Sequence, residues 1–135
     1  MRAAALLLAA ALCACSAERK LEPLPPADRI VITQYGKPEP GGELTDAQAV
    51  QRAWTLANAL RQTAWAAEKV EHSSCGTVVL TFRAQGKPVG YLAIDGERFF
   101  TNAPDGEVVQ PANPARMDEF LALLPRWYER SKCVG

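Results

Sequence analysis

Between Thr77 and Gln110 the chain reverses at short, regular intervals, and this constrains its fold more than any other feature. Val78, Leu80 and Phe82 alternate with Thr77, Val79, Thr81 and Arg83, a period of two that places the two sets on opposite faces of a strand. Gln85-Gly86-Lys87-Pro88 reads as a turn and residues 89–94 as a second strand. Asp95-Gly96 is a two-residue hairpin signal, because both residues tolerate positive φ. A return strand over 98–101, a turn at Asn102-Ala103-Pro104-Asp105-Gly106 and a short strand over 107–110 complete the pattern. Three successive hairpins specify an antiparallel meander.

The flanking segments supply the partners this sheet needs. Ile30, Val31, Ile32 and Thr33 form a β-branched cluster, predicting a strand over 28–35, and Pro38, Pro40, Gly41 and Gly42 predict a loop. Thr45-Asp46-Ala47-Gln48 fits a capping box with Thr45 as N-cap. Val50, Ala53, Trp54, Ala57, Leu60 and Ala64 then recur every three or four residues, predicting a helix over about 46–68 on which Trp54 and Trp65 share the sheet-facing side. Asn113-Pro114 starts a last helix, with Asn113 as N-cap and Pro114 at the first helical position. Its stripe is Met117, Phe120, Leu121, Leu124 and Trp127, and Pro125 predicts a kink or break. The expected fold is α+β: a two-layer domain, an antiparallel meander of about four to five strands packed by two helices, in the order β-α-β-β-β-(β)-α.

The N-terminus has a different character. Arg2 precedes an unbroken Ala and Leu run from Ala3 to Leu12, about half the twenty residues that span a bilayer core. It fits the apolar region of a signal peptide. The run ends in Leu12-Cys13-Ala14-Cys15-Ser16, which resembles the lipobox of bacterial lipoproteins over the first sixteen residues. Leu12 and Ala14 match that pattern, and Cys13 fills its middle position less typically. The resemblance implies a diacylglyceryl thioether on Cys15, cleavage before it, and, with Ser rather than Asp at position 16, an outer-membrane protein facing the periplasm. Two other readings stay open: cleavage after Ala17, giving a soluble periplasmic protein, and lipidation at Cys13. Each buried acyl CH₂ stabilises membrane association by ~0.8 kcal/mol, so two chains hold where one does not. The expected organisation is a signal peptide over 1–14, a lipidated Cys and Pro-rich tether over 15–27, and one globular domain over 28–135.

An exported location gives the remaining cysteines a meaning. Cys75 and Cys133 are an even pair in an oxidising space, for which a disulfide is the default. Closing that loop would stabilise the fold by roughly 4 kcal/mol in the chain-entropy picture. A reactive thiol is the alternative.

No catalytic set, cofactor or metal is expected from the sequence. Fifteen basic and fifteen acidic residues without a basic cluster argue against nucleic-acid binding, where phosphate contacts supply most of the affinity. The chain has one histidine, His72; Glu68 stands at helical spacing from it, but no third ligand is visible for zinc. His72-Ser73-Ser74-Cys75 would serve a hydrolase only with an orienting third group, and Asp95, Glu97, Asp105 and Glu107 sit where turns favour carboxylates for structural reasons. Phe99 and Phe100 are consecutive, so they point to opposite faces. An open sheet face would carry Arg83, Tyr91, Arg98 and Phe100 together, residue types enriched at protein interfaces; ordinary single exposures are the plainer reading. The function expected is a non-enzymatic, membrane-anchored envelope lipoprotein that binds a protein partner, as an inhibitor, an immunity protein or an accessory subunit. The alternatives are a small periplasmic hydrolase using His72 and carboxylates, or a small-ligand-binding lipoprotein.

Overall fold

Six antiparallel strands form one sheet, in the order β2-β1-β3-β4-β5-β6. The computed structural model describes residues 20–34, 42–67, 77–95 and 98–124. Within them run β1 (Arg29–Gln34), β2 (Gly42–Leu44), α1 (Ala47–Arg61), β3 (Val78–Ala84), β4 (Lys87–Ile94), β5 (Arg98–Ala103), β6 (Gly106–Pro111) and α2 (Pro114–Leu121). The class is α+β as expected, with one strand more than the sequence predicts. That strand is β2, drawn from the end of the Pro/Gly stretch. It pairs with the outer edge of β1, Leu44 opposite Ile30 and Glu43 opposite Val31.

The meander follows its turn residues. At the β3–β4 turn Gln85 and Gly86 both take positive φ, 51° and 76°, which matches the twist of the flanking strands. The β4–β5 hairpin is closed one residue later than the Asp-Gly signal suggests. Asp95 is the closing residue, its amide donating to the Arg98 carbonyl at 3.1 Å and its carboxylate accepting the Arg98 amide at 2.8 Å. Asn113 caps α2 as expected, its side chain accepting from the Ala115 amide at 3.0 Å, with Pro114 in the first turn. That helix ends at Leu121; Pro125 and Trp127 lie outside the described residues.

Helix α1 departs from expectation at both ends. Asp46, not Thr45, is the N-cap, accepting from the Ala49 amide at 2.9 Å. The helix stops at Arg61 rather than near residue 68. The Leu60 carbonyl accepts the Thr63 amide at 2.9 Å, the Thr63 hydroxyl at 2.6 Å and the Trp65 indole N–H at 2.9 Å. Those bonds end the helix and leave Trp65 fully buried beyond it, so Trp54 and Trp65 do not share a helical face. Ala66 then bridges to Val109 on the free edge of β6.

The main core lies on one face of the sheet. Ile30, Ile32, Leu80, Phe82, Leu92, Ile94 and Phe99 pack beneath Val50, Ala53, Leu56 and Leu60 of α1 and Met117 and Phe120 of α2. The Phe99 and Phe120 rings meet edge to face at 6.3 Å.

The Pro-rich segment also joins this core, which corrects the expected tether over 15–27: its described part, residues 20–27, is docked on α1. Leu21 and Leu24 are 5% and 3% exposed. Three residues is one turn of a polyproline II helix, so positions 21 and 24 project to one side. The Leu24 amide donates to Asn58 Oδ1 at 2.8 Å, the Leu21 amide to the Arg61 carbonyl at 2.8 Å, and the Trp54 indole to the Pro25 carbonyl at 2.9 Å. The domain therefore begins ahead of residue 28.

Candidate functional site

Arg61 shows how tightly the docked segment is held. Its Nε donates to the Glu22 carbonyl at 2.6 Å, and Nη1 donates to the Thr101 hydroxyl at 3.0 Å and the Asn102 carbonyl at 2.9 Å. No carboxylate pairs with it among the described residues, and burial pushes its pKa down by penalising the charged form. Nearby, β4 and β5 separate beyond their last pair, Leu92 opposite Thr101. Side chains take over the ladder there: the Tyr91 amide donates to Asn102 Oδ1 at 2.9 Å, and the Thr101 hydroxyl donates to the Tyr91 carbonyl at 2.7 Å. Gly90 makes this close approach possible, since a Cβ there would overlap Leu24 Cδ2 and lie 2.9 Å from Asn102 Oδ1. This is structural machinery: every polar group is turned inward and occupied by the protein itself.

The face of the sheet opposite the helices is the candidate functional surface. Strand alternation and register place Arg83, Tyr91, Phe100 and Arg98 on it, in successive rows stepping from β3 through β4 to β5. Three rows at two residues each make a diagonal stripe about 20 Å long. Each polar member is held. Arg83 Nη2 donates to the Gly86 carbonyl at 2.7 Å. The Tyr91 hydroxyl is hydrogen-bonded to Glu107. Arg98 Nη2 pairs with Asp95 Oδ2 at 3.1 Å, and its guanidinium lies 5.3 Å over the Phe100 ring. Phe100 itself is 1% exposed and clusters with Ala93 and Val109, so it supports the stripe from beneath instead of offering its ring.

At one end of this face a cleft of about 650 Å³ opens between β1, β2 and β3. Asp28, Arg29, Val31, Glu43, Thr45 and Arg83 line it. The sequence pointed to Arg83 alone among these. Arg29, Glu43 and Thr45 join it only through the β1–β2 and β1–β3 registers, and β2 had no strand signal of its own.

The other sequence candidates do not converge on a reaction centre. Glu107 stands opposite Asn102 while Asp95 closes against Arg98, four residues apart on β5 and so about 13 Å, beyond the spacing of glycosidase carboxylate pairs. Asp105 is exposed in the β5–β6 turn. Cys15, Glu68, His72, Cys75, Glu97 and Cys133 lie outside the described residues. Among the described residues no three His, Cys, Asp or Glu side chains group as a metal site, and no helix is long and apolar enough to cross a membrane. Comparison with protein-family profiles, with curated proteins and with solved structures returns no match.

Proposed function

We propose that this chain is a non-enzymatic lipoprotein of the bacterial outer membrane, anchored through Cys15 and facing the periplasm, whose domain binds another envelope protein through the sheet face opposite its helices. The observation that supports this most is the immobilisation of that face. Arg83, Tyr91 and Arg98 are each tied to a neighbour on rigid strands, so they lose little rotamer entropy when a partner covers them. Tyr and Arg are also the side chains most often found at interface anchors.

The docked segment sharpens the picture of the anchor. With residues 20–27 packed on α1, residues 16–19 link the lipidated Cys15 to the domain, and four extended residues reach at most about 14 Å. The domain works against the membrane surface, as an inhibitor, an immunity protein or an accessory subunit of an envelope complex does, with Cys75–Cys133 as a disulfide pinning its C-terminal end.

Crosslinking with mass spectrometry in native envelopes tests the reading. The wild-type chain is expected to capture one specific protein, and Tyr91→Ala with Arg98→Glu to lose it while the protein stays folded and membrane-bound. Repeated failure of the wild type to capture any specific protein sinks the proposal. Cys15→Ala is expected to release the chain from the membrane fraction.

A further inference from the structure

The register of the sheet places two arginines directly opposite each other. Arg29 on β1 and Arg83 on β3 are cross-strand partners, with side chains on the face away from the helices. Like charges in that position destabilise a sheet, so the arrangement calls for a compensating anion. Arg29 has one: its Nη1 lies 3.4 Å from Glu43 Oε2, across from it on β2. Arg83 has none among the described residues. Its Nη2 donates to the Gly86 carbonyl, which orients the guanidinium without neutralising it. Asp28, the other carboxylate of the cleft, accepts the Gln85 amide at 2.9 Å through Oδ2 and does not pair with Arg83. The remaining donors of Arg83 therefore belong to a cleft that also holds the Thr45 side chain and an apolar floor at Val31. Access is open beside the guanidinium, because no atom lies within 4 Å of where a Gly86 Cβ would stand.

We propose that this cleft receives a carboxylate side chain, Glu or Asp, of the protein partner, with Arg83 as its bidentate ligand. The inference rests on the protein-binding reading above and names the partner's chemistry at one end of the face. A planar guanidinium fork matches a carboxylate in geometry and charge. The charge count selects a monoanion: Asp28 and Glu43 border the same space, and a doubly charged phosphate would meet their repulsion in full. Val31 suits the methylene stem that brings a side-chain carboxylate into place.

The test uses the full chain in detergent micelles and follows the Arg83 Nε–H resonance by NMR. The probes are acetyl-Gly-Glu-Gly-amide and its Gln analogue. The Glu peptide is expected to shift that resonance saturably, with the Gln peptide at least about fivefold weaker. Arg83→Gln should weaken the Glu peptide about tenfold, as loss of a charge-assisted bidentate pair does, while Arg52→Gln on the far side of α1 leaves it unchanged. The wild-type resonance is itself a readout, so the test survives a poorly folding variant. Equal shifts with Glu and Gln peptides overturn the proposal, as does tighter binding of inorganic phosphate or of free zwitterionic glycine. Partner capture separates the two readings. If Arg83→Gln captures the envelope partner as well as wild type and the Glu peptide shifts nothing, the carboxylate site falls and the protein-binding reading stands. If wild type captures no partner, the protein-binding reading falls and this proposal with it, whatever the peptide does.

Discussion

One face of the sheet buries Ile30, Ile32, Leu80, Phe82, Leu92, Ile94 and Phe99 beneath two helices, whereas the other buries Ala93, Phe100 and Val109 and carries side chains that bond along the surface. The first face is joined by dispersion and apolar burial, which is non-directional and large in sum. The second is joined by directional contacts, Tyr91 to Glu107, Arg98 to Asp95 and Arg29 to Glu43, each of small net energy. Stability is therefore concentrated on one side of a sheet only one residue thick. The other side is free to present specific chemistry. Substitutions on the two faces should differ in kind as well as in size.

Phe99→Ala gives the largest expected effect. Its ring is fully buried against Phe120, and truncation removes transfer energy and leaves a cavity, about 3–5 kcal/mol in all. Its neighbour Phe100 is nearly as buried but lies in the small cluster of the opposite face, so Phe100→Ala should cost less. Chemical denaturation of both variants decides the matter. Equal losses would mean that the two faces share the burden of stability.

Next comes the docked N-terminal segment. Leu24→Ala should cost about 2–4 kcal/mol if positions 20–27 belong to the core, and nothing if they are a loose tether. Gly90→Ala should destabilise by about 1–3 kcal/mol, because the new Cβ overlaps Leu24 Cδ2. In the Leu24→Ala background that penalty should shrink, giving a coupling of about 1 kcal/mol in a double-mutant cycle. Additive losses would show that the segment does not sit where it is described.

The segment also shows where sequence reasoning fails. The β3–β6 meander and the start of α2 were legible because Gln85-Gly86, Asp95, Pro104-Asp105 and Asn113-Pro114 act locally through backbone preferences and caps. Residues 20–27 were misread because Pro-rich composition describes the isolated chain, while Leu21 and Leu24 gain their burial from α1. Strand β2 went unseen for the same reason: three residues after a Pro/Gly loop pair because β1 has a free edge. Helix α1 was read too long because Ala64 and Ala66 continue a helical pattern, but burying Trp65 in the core outweighs extending the helix. Of the candidate surface, Arg83, Tyr91 and Arg98 were placed correctly by alternation. The cleft was not, since its lining depends on register across three strands.

Tyr91→Phe moves to the functional face. It removes the hydroxyl bonded to Glu107 and keeps the ring, so the stability loss should be about 1 kcal/mol. If the face is an interface, capture of the envelope partner should fall well beyond that, because Tyr91 lies mid-stripe and Glu107 is left to face the partner without it. Retained capture in Tyr91→Phe, with loss in Arg83→Gln, would confine the interface to the cleft.

Glu43→Gln should have the smallest effect on stability and reverse the sign on binding. Both partners of the Arg29–Glu43 pair are about half exposed, with side-chain accessibilities of 52% and 45%, so its loss should cost at most about 0.5 kcal/mol, and less at high salt. The substitution also removes one of the two negative charges bordering the cleft and leaves Arg29 unpaired opposite Arg83. The cleft's formal charge rises from zero to +1, so the Glu peptide should bind several-fold more tightly at low ionic strength. That gain should fade as salt approaches ~0.15 M, where the Debye length shortens to about 8 Å. A substitution near-neutral for folding that improves binding is difficult to obtain from a surface whose charges serve only the sheet. Unchanged or weakened binding in Glu43→Gln would mean that Arg29 and Glu43 act as a closed surface pair and that Arg83 faces the partner alone.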